Sequence, residues 1–278
     1  MARLFGLIGN RADLAGRVLL AERDVLKVRV SEPGRIGWGI GFHQGGEVLM
    51  RKRPIDEHEE IDFGTIAGDI RGDVVIGHVR QATVGALRTE NTHPFRYRQW
   101  IFAQTGTIGR FEKARERLME SVPEFLRSGI RGDTDSEIVF HIFLSFLHDE
   151  GLLNEAQVPD EAATKALRGT LALVDSIAAE VGAEPPKTNI LVTGGRSICA
   201  IHRGERMAYR LYAGKTDGES LVADDFKLKL KTPELGSIRF ALLASDFDAV
   251  LSSRWKPCPA NTVLTLDGIN EPIVQSLG

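Results

Sequence analysis

Two segments of the sequence end in polar and glycine residues, a composition that favours a ligand-binding edge. An apolar run over residues 73–80 leads into Gln81-Ala82-Thr83, and a second run over 100–108 contains Gln104-Thr105-Gly106. Both runs are rich in β-branched and aromatic residues and predict strands. Because such strand ends gather at one rim, we expect any functional site to lie there.

Two histidines belong to this region and could in principle exchange protons with a substrate. His78 lies within the first of these strands, and His93 precedes Pro94 in the connecting loop. The sequence offers no partner nucleophile at a known spacing from either one. We therefore expect His78 to be a core residue and His93 to line the rim.

The first ten residues form the next candidate element. Residues 4–8 are mostly apolar, and Gly6 and Gly9 permit close backbone approach, so a short strand is predicted. A strand that begins at residue 2 or 3 would place Ala2 and a free α-amino group beside whatever that strand lines. The identity of residue 2 is therefore decisive for chemistry that uses a terminal amine.

The elements that must position these groups follow from hydrophobic periodicity and turn residues. Helices are predicted over 13–26, 56–70, from 111 to near Pro123, 138–147 with Asp133 or Thr134 as its cap, and 159–181. Further strands are predicted over 36–42 and 48–50 as a hairpin, over 189–193, 197–202 and 207–212 as a meander, over 226–231 as an edge strand, and over 238–244 and 262–266. Strands, then helices, then strands indicate two sheets with outer helices, a layered α+β fold, which we treat as one domain over 1–278.

Composition limits the function classes. The 278 residues are 42% hydrophobic, carry a net charge of −3 and have no basic run interleaved with aromatic residues, so a nucleic-acid partner is not expected. No apolar run is long enough for a bilayer and the start is not signal-like, which predicts no membrane partner and a cytoplasmic location. Cys199 and Cys258 stand far apart without a CxxC partner, so neither a disulfide nor a metal site is predicted. No phosphate-binding glycine motif is present, and no cofactor is predicted.

Several segments, in this order, resemble the class II glutamine amidotransferases. They are the N-terminal strand, Gly37-Trp38-Gly39-Ile40-Gly41-Phe42, Gly77-His78-Val79-Arg80-Gln81-Ala82-Thr83, Asn91-Thr92-His93-Pro94-Phe95, Gly106-Thr107-Ile108 and Gly132-Asp133-Thr134-Asp135-Ser136-Glu137. These proteins are N-terminal-nucleophile (Ntn) hydrolases, and the sequence is most similar to the stand-alone subgroup that acts on glutamine or γ-glutamyl compounds. The resemblance covers residues 1–145 by motif and the rest by strand layout. It implies a four-layer αββα sandwich.

The resemblance also implies roles for individual residues. In the family, a Cys directly after the initiator Met is the nucleophile, and its own α-amino group is the general base. Arg80 matches the residue that binds the substrate α-carboxylate, for which a planar guanidinium is suited. Asp135 matches the carboxylate that receives the α-ammonium. Asn91, Thr92 and His93 belong to the loop that lines the pocket.

Four positions depart from the family pattern, and all concern the catalytic centre. Ala2 stands where the nucleophilic Cys is expected, and Ile36 stands where an Asp usually precedes Gly-Trp-Gly. The oxyanion-hole triplet His-Asn-Gly reads Gln104-Thr105-Gly106, which keeps only Gly106 and replaces the amide donor by the hydroxyl of Thr105. Loss of one such donor costs about 3 to 4 kcal/mol of transition-state stabilisation.

The sequence therefore predicts a family member that has lost Cys-dependent glutaminase activity. Such a protein would keep part of a pocket for an amino-acid-like or γ-glutamyl ligand, or would serve as a structural or regulatory partner of another protein. The alternative is an active amidotransferase or amidohydrolase, either because its gene encodes Cys where Ala2 stands or because it uses a nucleophile that the motifs do not reveal. The oligomeric state is not predicted.

Overall fold

The computed structural model describes residues 2–81, 83–225, 234–247 and 249–277. Within these residues the strands are β1 (Arg3–Gly9), β2 (Val28–Arg29), β3 (Ile36–Gln44), β4 (Glu47–Asp56), β5 (Glu60–Ile61), β6 (Val74–Gln81), β7 (Phe95–Tyr97), β8 (Trp100–Thr105), β9 (Asn189–Thr193), β10 (Ile198–His202), β11 (Met207–Ala213), β12 (Arg239–Ser245), β13 (Trp255–Pro257), β14 (Thr262–Leu266) and β15 (Ile273–Ser276). The helices are α1 (Ala15–Ala21), α2 (Arg23–Leu26), α3 (Phe63–Ile66), α4 (Phe111–Glu120), α5 (Glu124–Arg127), α6 (Asp135–Asp149), α7 (Asp160–Glu180) and α8 (Gly214–Leu221).

The larger sheet holds the N-terminal strand at its centre. Its seven strands follow the order β13-β11-β12-β1-β6-β3-β4, and the neighbours pair antiparallel. Strand β1 is hydrogen-bonded on both sides, with Leu4 opposite Ser245 of β12 and opposite His78 of β6. The predicted first strand is therefore confirmed, and its start lies between the ends of two neighbouring strands.

The second sheet faces the first. Its six strands follow the order β15-β14-β10-β9-β8-β7, again antiparallel. Side chains alternate along each strand, so Leu4 and Ile8 of β1 meet Ile101 and Ala103 of β8 in the layer between the sheets. A separate two-stranded ribbon joins β2 and β5.

Helices cover the outer face of each sheet. The other face of β1, with Phe5 and Leu7, packs against α1 and α3, whereas Phe102 of β8 packs against α4, α6 and α7. The order helix, sheet, sheet, helix is the four-layer αββα sandwich that the sequence predicted.

Glycine in β3 allows one close approach that shapes the site. A Cβ atom on Gly39 would lie 2.1 Å from the carbonyl oxygen of His93. Only glycine accepts the backbone of the His93 segment at this separation.

Helix α6 begins as its sequence predicts. Thr134 is the N-cap, and its hydroxyl accepts the N–H of Glu137 at 3.3 Å. The carboxylate of Glu137 in turn accepts the N–H groups of Arg131 at 3.0 Å and Gly132 at 2.7 Å. The loop before α6 is thereby fixed to the first turn of the helix.

Two predictions of secondary structure are wrong, and a third concerns residues that the structure does not describe. The helix expected over 56–70 is only the short α3, because β4 continues to Asp56 and Asp62 caps a helix that starts at Phe63. The meander expected over 189–212 is divided, since β9 and β10 pair in the second sheet while β11 pairs with β12 in the first. The edge strand expected over 226–231 lies outside the described residues. In the described part of the chain no helix combines the length and apolarity needed to cross a membrane.

Candidate functional site

A cavity of about 250 Å³ opens where β1 begins and where β6 and β8 end. Strand ends from both sheets meet here, as the sequence predicted. The lining residues are Ala2, His78, Arg80, Gln81, Thr83, His93, Gln104, Thr105, Gly106, Thr107, Thr134 and Ser136.

Ala2 contributes a methyl group to this cavity. It precedes β1, whose register places Arg3 opposite Val79, so Ala2 lies beside the end of β6 that carries Arg80. The resemblance described above implies a nucleophile at this position. A methyl group has no lone pair and cannot attack a carbonyl carbon.

Thr105 and Gly106, the residues that the resemblance assigns to the oxyanion hole, both line the cavity. The Thr105 hydroxyl donates to Oδ2 of Asp246 at 3.1 Å, and the Ser245 hydroxyl donates to the same oxygen. Burial raises the pKa of Asp246, while these two hydrogen bonds act in the opposite direction. Gly106 has φ of +97°, and a Cβ on it would lie 2.1 Å from the carbonyl oxygen of Lys187, so glycine is required there.

Arg80 is buried and holds the loop that follows β6. Its Nη2 donates to the carbonyl oxygens of Val84 at 2.6 Å and Gly85 at 3.1 Å, and Nη1 donates to Ala86 at 3.1 Å. A guanidinium has five N–H donors, so two are not used in these bonds. Burial lowers the pKa of Arg80, and the charge of Asp135 opposes that shift.

His78 and His93 form a buried ring pair at the cavity, with centroids 4.2 Å apart. Burial, with a smaller contribution from Arg80, lowers the pKa of His78 to about 3, and burial also lowers the pKa of His93. Both rings are therefore neutral at pH 7. His78 Nδ1, both ring nitrogens of His93 and Oε1 of Gln104 have no hydrogen-bond partner among the described residues. These atoms are closed to solvent, and buried polar atoms without partners are costly, so the histidine pair is a strained part of the cavity wall.

Asn91 and Thr92 lie behind the cavity and support its loops. Asn91 Nδ2 donates to the Ala86 carbonyl at 3.0 Å, and Asn91 Oδ1 accepts the N–H of Asp133 at 2.8 Å. The Thr92 hydroxyl donates to the carbonyl oxygen of Arg88 at 2.9 Å. Both side chains thus anchor the loop after β6, and neither lines the cavity. Of the three residues predicted to line it, only His93 does.

Asp135 also lies behind the lining residues. Its Oδ2 accepts the N–H of Ile108 at 2.8 Å, and its Oδ1 accepts the N–H of Ser136 at 2.8 Å. Burial raises the pKa of this carboxyl, and the backbone hydrogen bonds counteract the shift. The cavity wall in front of it consists of Thr134 and Ser136.

Neither cysteine can supply the missing thiolate. Cys199 and Cys258 are not among the lining residues, and burial raises the pKa of each thiol to about 12. In the described residues, no group of three or more His, Cys, Asp and Glu side chains is placed to hold a metal ion.

Sequence reasoning missed two features of the site. The hydroxyls of Thr83 and Thr107 are 2.9 Å apart and join the two strand ends on either side of the cavity. Asp246 follows β12 and lies 141 positions from Thr105 in the chain. No local motif marks this carboxylate, because only the pairing of β12 with β1 brings it near the site.

Comparisons with known proteins settle the family. The family model of glutamine amidotransferases class-II matches residues 18–267. The chain belongs to this family. That all of 1–278 forms one domain stays a prediction.

Individual class II glutamine amidotransferase relatives are distant in sequence. The chain is 25% identical over 222 residues to the Saccharomyces cerevisiae protein named "Probable glutamine amidotransferase DUG3", an alignment that covers 74% of this chain and 60% of the yeast protein. It is 30% identical over 173 residues to a glutamine–fructose-6-phosphate aminotransferase (isomerizing) of Bradyrhizobium diazoefficiens, which covers 60% of this chain and 26% of that enzyme. The chain therefore spans less than two thirds of either relative.

Solved structures share the class II fold along the whole chain. A glutamine aminotransferase class-II domain protein from Silicibacter pomeroyi has a TM-score of 0.60 at 15% identity, with 99% of both chains covered. A Pseudomonas aeruginosa protein described as a predicted glutamine amidotransferase has a TM-score of 0.60 at 19% identity, with 99% of this chain and 96% of that one covered. At these identities the similarity establishes the fold alone.

Proposed function

We propose that this class II glutamine amidotransferase-like protein is not a Cys-dependent glutaminase and acts instead as a binding protein for a small amino-acid-like or γ-glutamyl ligand. One observation carries the proposal: Ala2, the residue to which the resemblance assigns the nucleophile position, lines the cavity with Arg80 and Gly106. The cavity is present, but the side chain at the proposed nucleophile position is an unreactive methyl group. A role as a non-catalytic partner of another protein and a cytoplasmic location remain part of this prediction.

The oxyanion position supports the loss of activity. A side-chain amide there would donate to the developing negative charge, whereas Thr105 donates to Asp246. Together, the absent nucleophile and the altered donor remove both the covalent route and about 3 to 4 kcal/mol of transition-state stabilisation. Ligand binding does not depend on either group.

Arg80 is the residue that we assign to ligand recognition. Its two remaining N–H donors can bind a carboxylate, and its charge lies in a buried setting where such a bond is strong. Because Asp135 is engaged by two backbone N–H groups, we expect the carboxylate of the ligand to contribute more to affinity than its ammonium.

The test measures ammonia release and ligand binding on the same preparations. The unmodified chain should release no ammonia from L-glutamine, yet bind L-glutamine or a γ-glutamyl dipeptide in isothermal titration calorimetry. Arg80→Lys keeps the charge, loses the planar fork and should weaken that binding about tenfold. Ammonia release by the unmodified chain would overturn the proposal. Absence of binding would show that the cavity does not take an amino-acid-like or γ-glutamyl ligand.

One contact favours the alternative of an active amidohydrolase. The Thr105 hydroxyl lies beside a carboxylate, which could accept its proton during attack on an amide. If the unmodified chain does release ammonia, Thr105→Val should abolish the release under this alternative. An Ala2→Cys, Thr105→Asn variant then reports whether the position still supports thiol chemistry.

A further inference from the structure

A second, larger cavity of about 890 Å³ lies next to the candidate site and shares no lining residue with it. The rings of His93 and Phe95 are 4.6 Å apart, and each lines a different one of the two cavities. The segment from His93 to Phe95 is therefore a common wall. Strands β4 and β7, helix α6 and the loops that precede β7 and α6 supply the remaining walls.

Cationic side chains predominate in this cavity. Lys52, Arg96, Arg98 and Arg131 line it, against the acidic Glu90 and Glu137. Both oxygens of Glu137 are engaged by the backbone N–H groups of Arg131 and Gly132, which stabilise its negative charge inside the loop. The side chains thus leave the cavity with an excess of positive charge.

Lys52 is the most unusual of these cations. Among the described residues its ammonium forms no salt bridge or hydrogen bond, and it lies 5.5 Å from the centroid of the Phe95 ring. Burial lowers its pKa to about 8, with Glu137 and Glu90 acting in the opposite direction. An ammonium held in a cavity wall without a carboxylate partner is costly, and an anionic ligand would offset that cost.

Arg131 and Arg98 extend the positive wall. The guanidinium of Arg131 likewise has no ion pair or side-chain hydrogen bond within the part of the chain that the structure describes. The guanidinium of Arg98 lies 5.7 Å from the centroid of the Tyr97 ring, which orients it without neutralising it. Planar guanidinium groups bind phosphate and carboxylate oxygens in pairs.

His141 adds an acceptor to the same cavity. Its Nδ1 is 2.9 Å from the Glu137 carbonyl oxygen and must donate to it, which leaves Nε2 as the acceptor of a neutral ring. Burial lowers the pKa of His141, so the ring is neutral at pH 7. The cavity therefore offers several cationic donors, one acceptor and apolar surface from Phe95 and Phe140.

We propose that this cavity is a second ligand site, which binds a small organic anion whose phosphate or carboxylate groups pair with Lys52 and Arg131. The volume suits a molecule of cofactor size. His141 Nε2 accepts a hydroxyl or N–H of the ligand. The site is separate from the Ala2 cavity, and its occupation does not require glutaminase chemistry.

The experiment is calorimetric titration of the full chain at pH 7 and low salt with four probes: inorganic phosphate, pyrophosphate, citrate and adenosine monophosphate. We expect at least one to bind, with affinity reduced tenfold or more by Lys52→Met and by Arg131→Gln. Arg51→Gln is the matched control, because Arg51 follows Met50 on the same strand but pairs with Asp69 and does not line the cavity. Binding of citrate alone indicates carboxylate ligands, and binding of the phosphate probes alone indicates phosphate esters.

Two results would overturn the proposal. One is the absence of binding by all four probes, and the other is binding that both Lys52→Met and Arg131→Gln leave unchanged. Arg131 is exposed, so its variant stays informative if Lys52→Met proves unstable. Circular dichroism of each variant verifies that the fold is retained.

Discussion

The Thr105 hydroxyl donates to Asp246 Oδ2 at 3.1 Å, so the residue that we assign to the oxyanion hole is paired with a carboxylate. An oxyanion formed there would face a negative group as well as lack an amide donor. Both effects disfavour a tetrahedral intermediate, and the second cannot be corrected by restoring a nucleophile alone. This relationship supports the proposed loss of glutaminase activity independently of the identity of residue 2.

The first prediction concerns Asp246. In an Ala2→Cys, Thr105→Asn background, the further change Asp246→Asn removes the negative charge beside the oxyanion and should raise kcat/KM for ammonia release from L-glutamine about tenfold or more. Asp69→Asn in the same background is the control, since Asp69 is exposed and pairs with Arg51. An unchanged or lower kcat/KM with Asp246→Asn would contradict this account.

The second prediction is a pH dependence of stability from His78. The pKa of this ring is lowered to about 3 in the folded protein, against 6.5 for a free side chain, so the unfolded chain binds the extra proton between those values. Stability is then full above pH 6.5 and falls as the pH decreases, by about 2 kcal/mol from this residue between pH 6.5 and 5. His93 acts in the same direction.

Urea unfolding at pH 7.5 and pH 5.0 measures this effect. His78→Gln should reduce the loss of unfolding free energy between the two pH values by about 2 kcal/mol. His148→Gln, at an exposed position, should lose as much unfolding free energy between pH 7.5 and pH 5.0 as the unmodified chain does. If His78→Gln loses as much stability on acidification as the unmodified chain, His78 is not the titrating group.

The third prediction concerns the close contact in β3. Gly39→Ala would place a Cβ 2.1 Å from the His93 carbonyl oxygen, which must move and carry the common wall of both cavities with it. We expect a loss of about 1 to 3 kcal/mol in the free energy of unfolding together with altered ligand affinity. Gly236→Ala is the control, because a Cβ there meets nothing within 4 Å. Equal free energies of unfolding for the two variants would show that the His93 backbone moves aside without loss of stability.

The fourth prediction concerns a buried carboxylate remote from both cavities. Glu22 accepts hydrogen bonds from Arg210, Tyr212 and Trp255, and so connects the helices on the outer face to strands β11 and β13. Glu22→Gln leaves the Arg210 charge without a partner in the interior and should cost about 3 to 5 kcal/mol of unfolding free energy.

The matched control for this change is Glu271→Gln. Glu271 pairs with Lys256 at the surface, where an ion pair contributes about 0 to 1 kcal/mol. Thermal unfolding should therefore separate the two variants by many degrees. A small effect of Glu22→Gln would mean that the three donors find other acceptors.

Much of the fold could be predicted from local sequence signals. In the N-terminal strand, in α6 with its Thr134 cap and in the long α7, the spacing of apolar residues and the boundary residues indicate the same element. The 56–70 segment failed because its apolar spacing fits both a helix and an extended connection, and Gly64 and Gly68 weaken the helix.

Sheet membership could not be read from the sequence. Strands β10 and β11 follow each other after a tight turn and carry similar apolar patterns, yet they belong to different sheets. The choice depends on β12, which arrives much later in the chain and pairs with both β11 and β1. Asp246 enters the site through the same long-range pairing, whereas Ala2, Arg80 and Thr105 belong to local motifs and were predicted to lie together.

The central place of β1 bears on how such a protein evolves. Its alignment is fixed by six paired positions on each side, Leu4 to Gly9 with β12 and Arg3 to Ile8 with β6, none of which is residue 2. Residue 2 therefore contributes little to the sheet that presents it to the cavity. Residue 2 can therefore be exchanged without disturbing the pairing of β1, so one scaffold can present different side chains to the cavity.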